Sequence, residues 1–195
     1  MIAQAISGAL QMFSLAGDIL APRNPNDLRG FKIRLPVAPT SIALFRHRGA
    51  SPTALNFNEV YSALQTGVVD GQENPLILID VTKLYEVQKY VSLTNHIWTG
   101  LHCTFNVAAW KRLPPPIQHE AGHILTEAAT MQRQDWLERN KTVSQHLQQN
   151  GMVFNAPDTA PFRAVLAKSG FYSGIEQRMS PEAWWLLQIY VGELG

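Results

Sequence analysis

Hydrophobic and polar positions change their period several times along the 195 residues. Phe31, Ile33 and Leu35 alternate with Lys32 and Arg34, the period of two that a half-buried strand requires. Arg34 would then stand on the polar side of that strand, in solvent. Asn56 or Asn58 can cap a helix over Glu59, Val60, Ala63 and Leu64, and Gly67 sits where that helix should stop. Asp70-Gly71 marks a turn, and Gln72 to Pro75 reads as a loop. Tyr90 to Thr94 and Cys103 to Val107 read as strands. After Pro114, Pro115 and Pro116 nothing interrupts a helical pattern until Gly151, which predicts one long helix or two in tandem. On it Ile117, Ala121, Ile124, Leu125, Ala128, Gln132 and Trp136 share one side, so that side should be the packed face. Ser180-Pro181-Glu182 opens a final helix, with Trp184 and Trp185 read as core and interface bulk. The apolar run from Ile2 to Leu20 reads as one more helix. Strands alternating with helices predict an α/β fold.

Composition narrows the function classes. At 46% apolar residues the chain can bury a core as one domain or two small lobes. Its 16 Lys and Arg nearly cancel 15 Asp and Glu, without the basic stripe that a phosphate backbone demands, so nucleic acid is not an expected partner. No stretch approaches the roughly 20 consecutive apolar residues of a membrane-spanning helix. Residues Ile2 to Leu20 contain no Lys or Arg and so lack the basic start of a secretory signal. Cys103 is the only cysteine; it has no partner for a disulfide or a paired-thiol metal motif, and its apolar neighbours suggest burial.

The sharpest short motif is His119-Glu120-Ala121-Gly122-His123. Two imidazoles four residues apart on a helix can hold zinc beside a general-base glutamate, which would make a zinc-dependent hydrolase. Helical geometry argues otherwise, because His119 and His123 fall opposite the apolar side and should point into water. A catalytic zinc also needs a third protein ligand, and neither Glu127 nor Glu138 sits in a recognisable motif. Arg34 can grip a carboxylate through two parallel hydrogen bonds that a lysine cannot reproduce. Asn74 could donate an amide to a ligand oxygen, and Phe57 could wall a site or fill a core. With no Gly-rich phosphate loop and no nucleophile elbow, neither a cofactor nor covalent catalysis is expected. Binding without chemistry remains.

The run of motifs resembles the DctP-type solute-binding proteins of tripartite ATP-independent periplasmic (TRAP) transporters. The resemblance rests on Asp27-Leu28-Arg29-Gly30-Phe31-Lys32-Ile33-Arg34-Leu35-Pro36, on Gly49-Ala50-Ser51-Pro52, and on the block from Glu59 through Val68-Val69-Asp70-Gly71-Gln72-Glu73-Asn74-Pro75. Further matches are Glu86-Val87-Gln88-Lys89-Tyr90, Leu93-Thr94-Asn95-His96, Trp110 to Pro115, and Gly151-Met152. It implies a two-lobed periplasmic-binding-protein-like α/β fold with a long lobe-spanning helix and an incomplete first lobe. Residues 12–99 and 140–195 would form the second lobe, 100–139 a returning segment of the first, and 1–11 an N-terminal helix or remnant. It further implies a periplasmic location, capture of an organic carboxylate of the C4-dicarboxylate kind, delivery to membrane permease subunits, and no enzymatic activity. Arg34 would make the main ion pair with the ligand, Phe57 would pack on it, and Asn74 would supply an amide. An upstream arginine of the family pattern would fall near Ser14, where this chain has none. The family's earlier strands also have no counterpart before Met1, which predicts an exposed sheet edge and weak or absent binding by this chain alone, as in a non-binding remnant.

Overall fold

A computed structural model describes residues 6–17 and 22–194. The strands are β1 (Ile6–Gly17), β2 (Lys32–Leu35), β3 (Ser51–Ala54), β4 (Gly71–Pro75), β5 (Tyr90–Ser92), β6 (Trp98–Cys103) and β7 (Val153–Asn155). The helices are α1 (Pro39–His47), α2 (Val60–Gln65), α3 (Leu76–Val81), α4 (Val107–Lys111), α5 (Pro115–Gln149), α6 (Ala160–Lys168), α7 (Phe171–Glu176) and α8 (Pro181–Val191). The strands run in the order β3-β2-β4-β1-β5-β7, with β6 added to β1. Strand β2 is parallel to β3 and to β4, and β5 is parallel to β7. Strand β1 is antiparallel to all its partners: Phe13–Gly17 pairs with β4, and Leu15–Gly17 also with β5, whereas Ile6–Met12 pairs with β6.

Four expectations are corrected. Residues 6–17 are strand, not helix; the rest of the apolar run, Ile2–Ala5 and Asp18–Leu20, lies outside the described residues. Strand β6 pairs with Ile6–Met12, and β4 and β5 flank Leu15–Gly17, and that pairing overrides local preference. Gln72 to Pro75 is not a loop but part of β4, and all five of its residues are buried. Its side chains are polar, so no hydrophobic alternation announced it. The expected strand at Cys103 to Val107 lies earlier, as β6, because the Asn106 side chain accepts the Ala109 N–H and starts α4 at Val107. Cys103 is exposed rather than buried.

Alternation along β2 sends Ile33 and Leu35 into one core and Arg34 to the opposite face of the sheet. The first core joins them to Leu28, Leu44, Phe45, Phe162, Leu166 and Phe171, beneath α1, α6 and α7. The second gathers Val60, Leu64, Ile77, Ile79 and Val91 with Val143 and Leu147 of α5. Helix α2 is started by a reciprocal Asn56–Glu59 cap, and Gly67 beyond its end takes φ +70°, a conformation costly for any residue with a Cβ.

The 35 residues of α5 form one helix. Its covered line coincides with the expected one at Ala121, Leu125, Gln132 and Trp136 and departs from it at Ile117, Ile124 and Ala128. Gln118, Gly122, Leu125, Ala129, Gln132 and Trp136 are partly covered and lead to buried Val143 and Leu147, whereas Ile117 and Ile124 are exposed. The covered positions recur at alternating steps of four and three, so they follow the strand and helix that α5 crosses, β1 and α3, rather than the most apolar side chains. Near its end His146 Nδ1 lies 2.6 Å from Asp80 Oδ1 of α3. We expect Leu147→Ala to cost about 2–5 kcal/mol in urea unfolding, as for other buried leucines. Ile124→Ala should stay within about 0.5 kcal/mol of the parent.

Candidate carboxylate-binding site

The site is built on three adjacent turns of sequence. Arg34 sits in mid-β2 and is 3% exposed, which corrects the expectation of a solvated arginine. Its Nε and Nη2 both donate to the Leu55 carbonyl, at 3.0 and 2.7 Å. Leu55 follows β3, so this fork ties the guanidinium to the segment that leads into the Asn56 cap. One residue further, the Phe57 ring lies with its centroid 5.9 Å from Arg34 Cζ, and Phe57 is 39% exposed. An aromatic face at that distance attracts a cation and leaves part of the ring available to a ligand. Burial lowers the Arg34 pKa, while the nearby Glu73 and Glu59 push it back up. An arginine so shifted still carries its charge.

Strand β4 supplies the amides. Arg34 is in register with Gln72, and Asn74, two residues on, shares the Gln72 face of the strand. Asn74 Nδ2 donates to Gln72 Oε1, and Gln72 Nε2 donates to Gln88 Oε1 at 3.1 Å. Gln72 is fully buried and Asn74 is 5% exposed, so this relay holds the Asn74 amide in one orientation. Gln72 and Gln88 went unrecognised in the sequence. Reading Gln72-Glu73-Asn74 between Gly71 and Pro75 as a polar strand would have placed Gln72 beside Asn74.

Glu73 points the other way. It is fully buried, with Oε2 3.5 Å from Nε2 of His96, whose side chain is 2% exposed. His96 Nδ1 lies 2.7 Å from Thr94 Oγ1, and the ring meets Phe45 edge to face at 5.1 Å. Burial raises the Glu73 pKa to about 8, against the opposing pull of Arg34. Burial, aided by Arg48, lowers that of His96 to about 3. At neutral pH the pair is an uncharged acid beside a neutral imidazole.

His119 and His123 are exposed on α5. Among the described residues no three His, Cys, Asp or Glu side chains gather where they could hold a metal ion, so the HEAGH sequence has no third ligand beside it.

The Glu73–His96 pair sets a pH profile. Glu73 holds its proton more tightly in the folded chain, so its contribution is complete below its ordinary value of 4.5 and is lost as pH rises through about 8. The His96 contribution is complete above its ordinary value of 6.5 and is lost as pH falls toward about 3. The two slopes oppose each other between those ordinary values. Thermal stability should therefore be flat from about pH 4.5 to 6.5 and fall by about 2 kcal/mol on raising the pH from about 6.5 to 8. Glu73→Gln should remove the alkaline decline, as checked by melting curves across pH.

Comparison with known proteins places this geometry. Residues 2–170 match the family model DctP, described as bacterial extracellular solute-binding protein, family 7. A solute-binding protein of Roseobacter denitrificans is 33% identical over 189 residues, which cover 92% of this chain and 58% of that protein. The C4-dicarboxylate-binding periplasmic protein DctP of Rhodobacter capsulatus is 33% identical over 141 residues, covering 72% of this chain and 42% of that protein. A crystal structure of another Roseobacter denitrificans protein, a TRAP periplasmic solute-binding protein with bound 3-deoxy-D-manno-oct-2-ulosonic acid, superimposes with a TM-score of 0.84 at 31% identity, over 90% of this chain and 59% of that one. The chain thus spans about 60% of the length of these relatives or less. It belongs to the DctP family of bacterial extracellular solute-binding proteins and shares the two-lobed α/β architecture of its TRAP members.

Proposed function

We propose that this chain is part of the periplasmic solute-binding component of a TRAP transporter, which captures an organic carboxylate and passes it to membrane permease subunits without chemical change. The observation that carries the reading is Arg34: a guanidinium 3% exposed, fixed by a fork onto the Leu55 carbonyl and flanked by the half-exposed Phe57 ring. A charge kept out of water in that way gains most from an anionic partner able to accept two parallel hydrogen bonds. Phe57 would pack on the ligand body, and the Asn74 amide would bond a ligand oxygen.

The proposed ligand class is defined by the carboxylate. One relative is named for C4-dicarboxylates and another holds an eight-carbon sugar acid. Both satisfy the same arginine, so the C4-dicarboxylate reading is one choice within the class. Assignment of 12–99 and 140–195 to one lobe, with 100–139 belonging to the other, is part of the proposal. It is supported by the buried members of both cores, which among the described residues come from 28–91 and 143–171.

A thermal-shift and calorimetric panel of C4-dicarboxylates, sugar acids and short monocarboxylates tests the reading. One acid should raise the melting temperature in a saturable way. Arg34→Ala should weaken its binding by about 2–5 kcal/mol, and Arg34→Lys should recover only part because it cannot form the fork. Equal binding by wild type and Arg34→Ala would overturn the assignment.

A further inference from the structure

The face of the sheet opposite Arg34 holds a cavity of about 640 Å³, lined by α1, α6, α7, α8 and residues 94–97. Its walls include Leu44, Leu166 and Phe171 of the core that packs on Ile33 and Leu35. The sheet therefore separates it from the candidate carboxylate site. Two arginines, Arg48 and Arg163, line it together with Tyr172, and among the described residues no Asp or Glu does.

Arg48 is the unusual member. Its guanidinium carbon lies 5.5 Å from the centroid of Phe162 and 5.9 Å from that of Phe45. Its Nε is buried without a hydrogen-bond partner. Aromatic faces stabilise a cation but do not replace the hydrogen bonds that water would have supplied. Burial also drives the Arg48 pKa down to about 10, opposed by Tyr172. Glu73, behind the lining residue His96, is protonated and offers no counter-charge. Leu187, Val191 and Leu194 at the C-terminal end add an aliphatic part to the lining. A lining that joins cationic side chains to aliphatic ones suits a small anion with an apolar body.

We propose that this cavity is a second binding site, distinct from the Arg34 site, for a small organic anion with an apolar body, such as a medium-chain carboxylate, whose head pairs with Arg48. The carboxylate docks on the guanidinium where it borders the cavity, through charge-assisted hydrogen bonds. The chain lies along Leu44, Leu166 and Leu187, and its burial draws α8 onto the body of the protein. Helix α8 is suited to such closure, because Trp184 is its only buried residue while Trp185, Ile189 and Tyr190 stand exposed.

The test titrates octanoate and its uncharged analogue 1-octanol into the full chain, followed by calorimetry and thermal shift. Octanoate should bind saturably and raise the melting temperature, and octanol should do so at least 10-fold more weakly. Arg48→Gln should weaken octanoate at least 10-fold, and Leu187→Trp, which fills the aliphatic part, should block it. Arg34→Ala should leave octanoate binding intact, which separates this site from the one proposed above. Absence of octanoate binding, equal binding of octanol, or unchanged binding in Leu187→Trp would each overturn the proposal. Loss of octanoate binding in Arg34→Ala alone would assign it to the other site and overturn this one. Should Arg48→Gln fail to fold, the octanol comparison and Leu187→Trp decide.

Discussion

Three consecutive polar side chains, Gln72, Glu73 and Asn74, lie buried in the middle of a sheet, and much of the structure is arranged around sheltering them, although the two Glu73 oxygens have no hydrogen-bond partner. A buried polar group without a partner costs on the order of 1–3 kcal/mol. Strand alternation splits the three between the two faces, so each face must solve the problem separately. On one face Gln72 joins Asn74 to Gln88. On the other, Glu73 escapes the cost of a buried charge by keeping its proton next to a neutral His96. That second solution needs Phe45 and Thr94 around the imidazole, which ties α1 and the segment after β5 to the same strand.

This constraint also explains how much the sequence disclosed. The alternation of Phe31, Ile33 and Leu35, the Asn56 and Ser180 caps, Gly67 and the uninterrupted stretch after Pro114 are local signals, and the corresponding elements formed where local chemistry places them. The polar strand β4 carried no such signal, because its partners lie on β1, on β2 and at Gln88 and His96, and none of these is near in sequence. Strand β1 failed for a related reason. Its residues suit a helix as well as a strand, and pairing with β4, β5 and β6 decided the outcome. Arg34 illustrates a third case: alternation correctly gave its face, but the pattern could not tell whether that face was wet or covered. Cover comes from Leu55 and Phe57, about twenty residues away.

Helix α5 shows the limit of reading hydrophobicity as burial. Its exposed Ile117 and Ile124 and its covered Gln118 go against the expectation from side-chain polarity, whereas Leu125, Gln132 and Trp136 lie on the side expected to pack. The path of a straight 35-residue helix across β1 and α3 sets which positions are covered. Polarity and cover agree at Leu125 and Trp136 and most fully at Val143 and Leu147, where the helix joins the core.

The protonation of Glu73 has an electrostatic consequence beyond its own pair. A charged carboxylate in that position would neutralise much of the field of Arg34 from behind the sheet. Uncharged, it leaves the guanidinium's potential directed through a medium of low polarisability toward the Phe57 side. Such a field would favour anions at the proposed site, against the charge of the nearby Glu59, and added salt would weaken that attraction.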